Sequence, residues 1–207
     1  MRWADARATT SLCLLTIAAS VLILLSGALP YWSVEAGFLP ARIGHEVAGL
    51  WLPWLLTPLS ATLVHGGWAH LLFNVVMLGF CGREAERALG EGGMLILYAL
   101  GAYAAAAGQW LTGPASVVPM IGASGAISAV VGAYAMLFGE RRAQALGPVP
   151  AGVMHVAWLA AGWVGVQLLI GAAEPAGTTI AIAAHIGGFL AGLALARPLL
   201  MWRWRRA

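Results

Sequence analysis

The chain has 207 residues, 61% of them hydrophobic and only 9% charged, with a mean hydropathy of +0.85. A soluble domain of this length carries about a quarter charged residues, so a water-soluble globule is excluded and an all-α, multi-pass membrane protein is expected. The net charge of +3 comes from 11 arginines and no lysine, set in short clusters between apolar runs rather than in a stripe, so no nucleic-acid partner is expected. The length suits one domain over 1–207.

In chain order, apolar runs cover 10–29, 68–82, 93–112, 124–139, 152–171 and 178–198. Most approach the roughly 20 residues that cross a bilayer. The second and fourth are shorter and suit helices that begin below the outer surface. Pro30, Pro40, Pro53, Pro58, Gly90, Gly113-Pro114, Pro148, Pro150 and Pro175 punctuate the runs. If all six cross, 10 of the 11 arginines fall on one side and only Arg42 on the other. Positive charge stays inside, so both termini are expected to be cytoplasmic. The first run has a basic start but no clear cleavage site, and is expected to be a retained anchor. The segment of about 30–65 alternates tryptophan and leucine with proline, which suits short amphipathic pieces in the outer interface. Cys13 and Cys81 lie in or beside apolar runs and are expected to be free, buried thiols.

Polar side chains inside apolar runs are costly and therefore informative. The stretch 65–80, at and within the second run, carries His65, expected to be interfacial or structural, and His70 and Asn74, which are four apart and share a helix face. The sixth carries His185. Gln109, His155 and Gln167 complete the set, the last two and His45 expected to be structural. With a rise of about 1.5 Å per residue, Ser124 lies roughly 25 Å from Arg141, His70 roughly 20 Å from Arg83, and His185 roughly 18 Å from Arg197. These depths match, in the outer half of a core about 30 Å thick. Small residues repeat every four positions at Gly125, Ala129 and Ala133 and at Ala184, Gly188 and Gly192, so the two helices can approach until Ser124 reaches His185.

Metal-dependent cleavage is not expected: His45-Glu46 is followed by Val47-Ala48-Gly49, which is no H-E-x-x-H helix. Paired aspartates are excluded, since Asp5 is the only one. Cys13 and Cys81 sit toward the inner side, away from the histidines. What remains is a serine alcohol and a histidine base, with amides at a helix start and the side chains of His70 and Asn74 as oxyanion donors. Each has a plainer role open to it. Ser124 could be a packing residue or a cap, His185 could bond a carbonyl, and His70 and Asn74 could join helices.

Three motifs, His65-x4-His70-x3-Asn74, Gly122-Ala123-Ser124-Gly125 and Ala184-His185-Ile186-Gly187-Gly188, resemble in order and placement those of the rhomboid family of intramembrane serine proteases. The resemblance covers about His65 to Ala196. It implies a six-transmembrane-helix bundle, Ser124 as nucleophile, His185 as general base, and an oxyanion hole of His70, Asn74 and the Ser124 amide, with Gly122, Gly125, Gly188 and Gly192 in supporting packing roles. No cofactor or metal is implied. Partners would be membrane lipids and transmembrane substrates cut in or near their spans, and the location the bacterial inner membrane. Two departures stand out: Ser128 occupies a position where many members carry an aromatic that packs on the histidine, and no Trp-Arg pair occurs in the first outer loop. A non-catalytic rhomboid-like factor that binds transmembrane clients, and a small transporter, are the alternatives. The first usually lacks the serine or histidine; the second would need polar groups in the inner half.

Overall fold

The computed structural model describes residues 6–45, 49–139, 144–173 and 181–205. Among these, regular structure is helical, with only two isolated bridges, Phe38 with Met120 and Leu146 with Val149. Helix α1 (Arg7–Leu25) is predominantly apolar and has no side-chain cap of its own at its start. Its first amides are taken instead by a carboxylate from elsewhere in the chain. Glu86 accepts from the Ala8 and Thr9 amides at 2.9 and 2.7 Å and from the Thr9 hydroxyl at 2.7 Å. Glu86 is buried, and these donors offset the cost of enclosing it.

The segment that follows α1 is a series of short helical pieces. They are α2 (Leu29–Glu35), 3-10 turns at Pro40–Arg42, Trp54–Leu56 and Ala61–Leu63, and α3 (Thr57–Ser60). Prolines at their first positions start the pieces and prevent a long helix. Two buried charged residues fold the segment on itself. Glu35 Oε1 accepts from the Trp51 and Leu52 amides at 3.0 and 2.7 Å, and Arg42 Nη2 donates to the Leu52 carbonyl at 2.6 Å. Arg42, the lone arginine of this segment, is thus an internal brace.

Helix α4 (Trp68–Met77) was expected to end near residue 82. It instead passes through a π turn at Leu78–Gly82 straight into α5 (Arg83–Thr112). The reason is local: no breaker occurs before Gly90, whose φ of 77° and ψ of 167° are outside any helix. There the chain folds back. A methyl group at Gly82 would lie 3.2 Å from the Met94 side chain, whereas twelve residues of unbroken helix would span about 18 Å. On α4 the apolar Leu72, Phe73 and Val76 face outward while Asn74 is buried, the reverse of a soluble helix.

Helices α6 (Ser124–Phe138) and α8 (Ile182–Trp204) pack on each other and on α5, while α7 (Ala151–Ala173) leans mainly on α8. Glycine makes the seam close. A methyl group at Gly188 would overlap the Gly125 carbonyl, and one at Gly192 the Ala129 carbonyl. On the other side of α6, a methyl at Gly125 would come within 2.5 Å of the Ala105 side chain on α5. Cys13 and Cys81 are buried and free. Among the described residues, three helical stretches are long and apolar enough to cross a bilayer: Arg7–Leu25, Trp68–Thr112 and Ile182–Trp204.

Candidate functional site

The site begins in the connection between α5 and α6, which the segment of short pieces between α1 and α4 grips through backbone hydrogen bonds. Met120 and Phe38 exchange backbone hydrogen bonds at 2.8 and 3.0 Å, and the Gly122 amide donates to the Ala61 carbonyl at 2.9 Å. Gly122 has a φ of 106°, open to glycine and strained for other residues. A methyl group there would also lie 2.6 Å from the His70 ring. The Ala123 amide donates to His65 Nε2 at 3.3 Å, and the Ala123 carbonyl accepts from Ile127 as α6 begins. Ser124 is the first residue of that helix, where an amide has no acceptor within the helix.

His185 stands in the first turn of α8, with its backbone amide bonded to the Ala181 carbonyl. Its Nε2 lies 2.8 Å from Ser124 Oγ, although 61 residues separate the two in sequence. Both side chains are half-buried. The approach follows from the glycine seam, since Gly188 and Gly125 are the neighbours one turn and one residue along from the pair. A neutral imidazole at this distance can take the hydroxyl proton.

Ser128, in the position where an aromatic was considered, donates instead to the Ser124 carbonyl at 2.8 Å. The aromatic beside His185 comes from α7. The Trp163 indole N–H donates to the His185 carbonyl at 3.3 Å, and the ring stacks on Phe189 with centroids 4.9 Å apart and planes 7° from parallel. Sequence reasoning missed Trp163 because nothing separates it from the other tryptophans of the apolar runs.

His70 and Asn74 border the same space. The Gly66 amide donates to His70 Nδ1 at 3.3 Å, so in the neutral ring Nε2 carries the proton. That nitrogen is on the ring edge facing Gly122, beside Ser124. Asn74 Nδ2 donates to the His70 carbonyl at 2.8 Å, and its Oδ1 has no partner among the described residues. His65 is not on a helix face: it precedes α4, is fully buried, and its ring sits edge-on to His70 at 4.9 Å.

A cavity of about 660 Å³ opens over Ser124 and His185, bordered by His70, Phe73, Gln109 and the 116–121 stretch. A second, of about 250 Å³, lies between α4 and α7 and touches Ser124, His185, Asn74, Ser128 and Trp163. Gln109, noted in the sequence without a role, therefore faces the larger cavity. His45 is exposed and His155 is buried away from the site. Among the described residues no three His, Cys, Asp or Glu side chains converge as metal ligands would. Arg2, Asp5, Glu46, Arg141, Arg142, Glu174 and Arg206, and the side chain of Gln167, lie outside the described residues.

An all-helical, apolar chain that brings a serine hydroxyl and an imidazole together from two different helices defines a narrow class. The rhomboid domain family model matches residues 48–202, and the chain belongs to that family. It is 31% identical over 191 residues to the rhomboid protease GlpG of Pectobacterium atrosepticum, covering 91% of this chain and 61% of that protein. The same-named protein of Yersinia enterocolitica is 33% identical over 139 residues, 66% of this chain and 45% of the relative. That of Yersinia pestis is 32% identical over the same length. The chain therefore spans about half to three-fifths of the length of these relatives.

Proposed function

We propose that the chain is an intramembrane serine endopeptidase that cleaves peptide bonds in or near the transmembrane segments of other proteins. The observation that carries this reading is the 2.8 Å contact between Ser124 Oγ and His185 Nε2. In the proposed reaction His185 removes the hydroxyl proton as Ser124 attacks the scissile carbonyl. The oxyanion forms against the Ser124 amide, His70 Nε2–H and the Asn74 amide. The positive end of α6 favours the charge that develops there. His185 then protonates the leaving amine. An acyl group remains on Ser124, and water entering the larger cavity, deprotonated by His185, releases it.

The proposal includes one domain over 1–207, six spans in the bacterial inner membrane, both termini in the cytoplasm, and the 30–65 segment at the outer face. Gly122, Gly125, Gly188 and Gly192 act through packing. The sequence motifs, the family relationship and the site geometry all support this arrangement. A fluorophosphonate probe tests it: the wild type is expected to be labelled and Ser124→Ala not. Equal labelling of both would discard the assignment, and an unlabelled wild type that still binds transmembrane clients would favour a non-catalytic factor.

A further inference from the structure

Helix α6 starts without a side-chain cap of its own. In a self-capped helix, a Glu or Gln three residues past the cap can reach back to the cap amide. Here the cap is Ala123 and the residue three on is Ala126, neither of which has a hydrogen-bonding side chain. The Ala123 amide is held instead by the ring of His65, from a different part of the chain. The ring is held in turn by Ser20 of α1, whose Oγ lies 2.8 Å from His65 Nδ1 and 2.9 Å from the Leu63 carbonyl. Ser20 lies outside the 48–202 stretch that matches the family model.

The two ends of this chain of contacts demand the same protonation. Leu63 presents only an acceptor, so Ser20 donates to it and accepts from His65, which requires a proton on Nδ1. At the other end the Ala123 N–H needs an acceptor, which requires Nε2 to be bare. One neutral tautomer satisfies every member, and Ser20, His65 and Ala123 are fully buried.

We propose that Ser20 and His65 are positioning residues. The chain from the Leu63 carbonyl through Ser20 and the His65 ring to the Ala123 amide fixes the residue before Ser124, and so sets the hydroxyl against His185. This rests on Ser124 being the nucleophile. The Gly122 amide, bonded to Ala61, anchors the neighbouring residue from the same segment. His65 therefore governs direction as well as attachment. Small displacements of reacting groups are expensive in rate.

The experiment has a structural and a kinetic arm. Nitrogen NMR of the 15N-histidine protein, with His65 assigned through His65→Asn, is expected to show a neutral ring protonated at Nδ1. In Ser20→Ala the Nδ1 proton loses its acceptor, so the ring is expected to shift toward the Nε2-protonated tautomer and the Ala123 amide resonance to move. In the same variant, kcat on a reporter transmembrane substrate and the fluorophosphonate rate are expected to fall together, about fivefold, as for one hydrogen bond lost. KM is expected to stay near wild type, and the unfolding midpoint to fall modestly because buried groups lose a partner, with the rates compared well below it. A His65 ring protonated at Nε2 in the wild type would overturn the proposal. So would a Ser20→Ala variant with unchanged probe rate, or one whose only change is a lower unfolding midpoint. An unlabelled wild type would instead overturn the nucleophile assignment, which the tautomer measurement does not depend on.

Discussion

At the scale of single residues, Gly122 joins conformation to chemistry. Its left-handed backbone turns the chain into α6, and its missing side chain leaves room for the His70 ring. Gly122→Ala would meet both a strained φ and a ring contact, and is expected to abolish cleavage of a reporter substrate and lower the unfolding midpoint. Loss of one oxyanion donor acts on rate more than on stability. His70→Ala and Asn74→Ala are each expected to reduce kcat by about 10²- to 10³-fold at most, measured with purified protein in detergent. His185→Ala is expected to lose activity as fully as Ser124→Ala. His70, Asn74, Ser124 and His185 were legible in the sequence, because a polar group is expensive in an apolar helix and so stands out from its surroundings. Trp163 was not readable. An aromatic in an apolar run leaves no such mark, and its link to His185 is made to the backbone carbonyl, which every residue has.

At the scale of elements, α6 and α8 meet closely through backbone at Gly188 and Gly192, beside the side-chain contact of Ser124 with His185. Gly192→Leu would drive a side chain into the Ala129 carbonyl, and is expected to separate the helices and unfold the protein at a lower temperature, with activity lost as a consequence. Glu86 offers a contrast, because it caps α1 at a distance from the cavity. Glu86→Gln keeps the shape but loses acceptor capacity for the Ala8 and Thr9 amides, and is expected to cost about 1–3 kcal/mol of stability while kcat at a permissive temperature stays within about twofold. The small-residue faces of these helices are a regular pattern and were legible as such. The extension of α4 through the π turn was not, because hydropathy falls at Cys81-Gly82-Arg83 while the helix itself continues to Gly90. Hydropathy reports where a chain leaves lipid. Backbone geometry decides where a helix stops.

At the scale of the whole molecule, the segment between α1 and α4 is irregular and consequential. Its polarity is internal: Arg42 donates to the Glu35 and Leu52 carbonyls, and the Glu35 carboxylate accepts from the Trp51 and Leu52 amides rather than facing water. Sequence reading gave its apolar character and its short pieces, and assigned no contact to it. Contacts such as Phe38 with Met120 join residues 82 positions apart and leave no periodic trace. The proposed topology is testable with fusions. Alkaline phosphatase joined after Thr112 is expected to be active and green fluorescent protein at the C-terminus to fluoresce. The opposite pattern would invert the orientation.

The seam between α6 and α8 has one more consequence. Where two helices meet carbonyl against glycine, there is no side chain whose rotation could make a gap, and any parting would have to shift both backbones at once. Ser124 and His185 are mounted on the two halves of that joint, so if the chain acts as proposed, the motion that admits a bulky polypeptide would be found along other borders, such as the flank of α7, which leans mainly on α8. In the proposed reaction the pair is thus built into a joint that resists parting, and access and chemistry would fall to different walls of the same chamber.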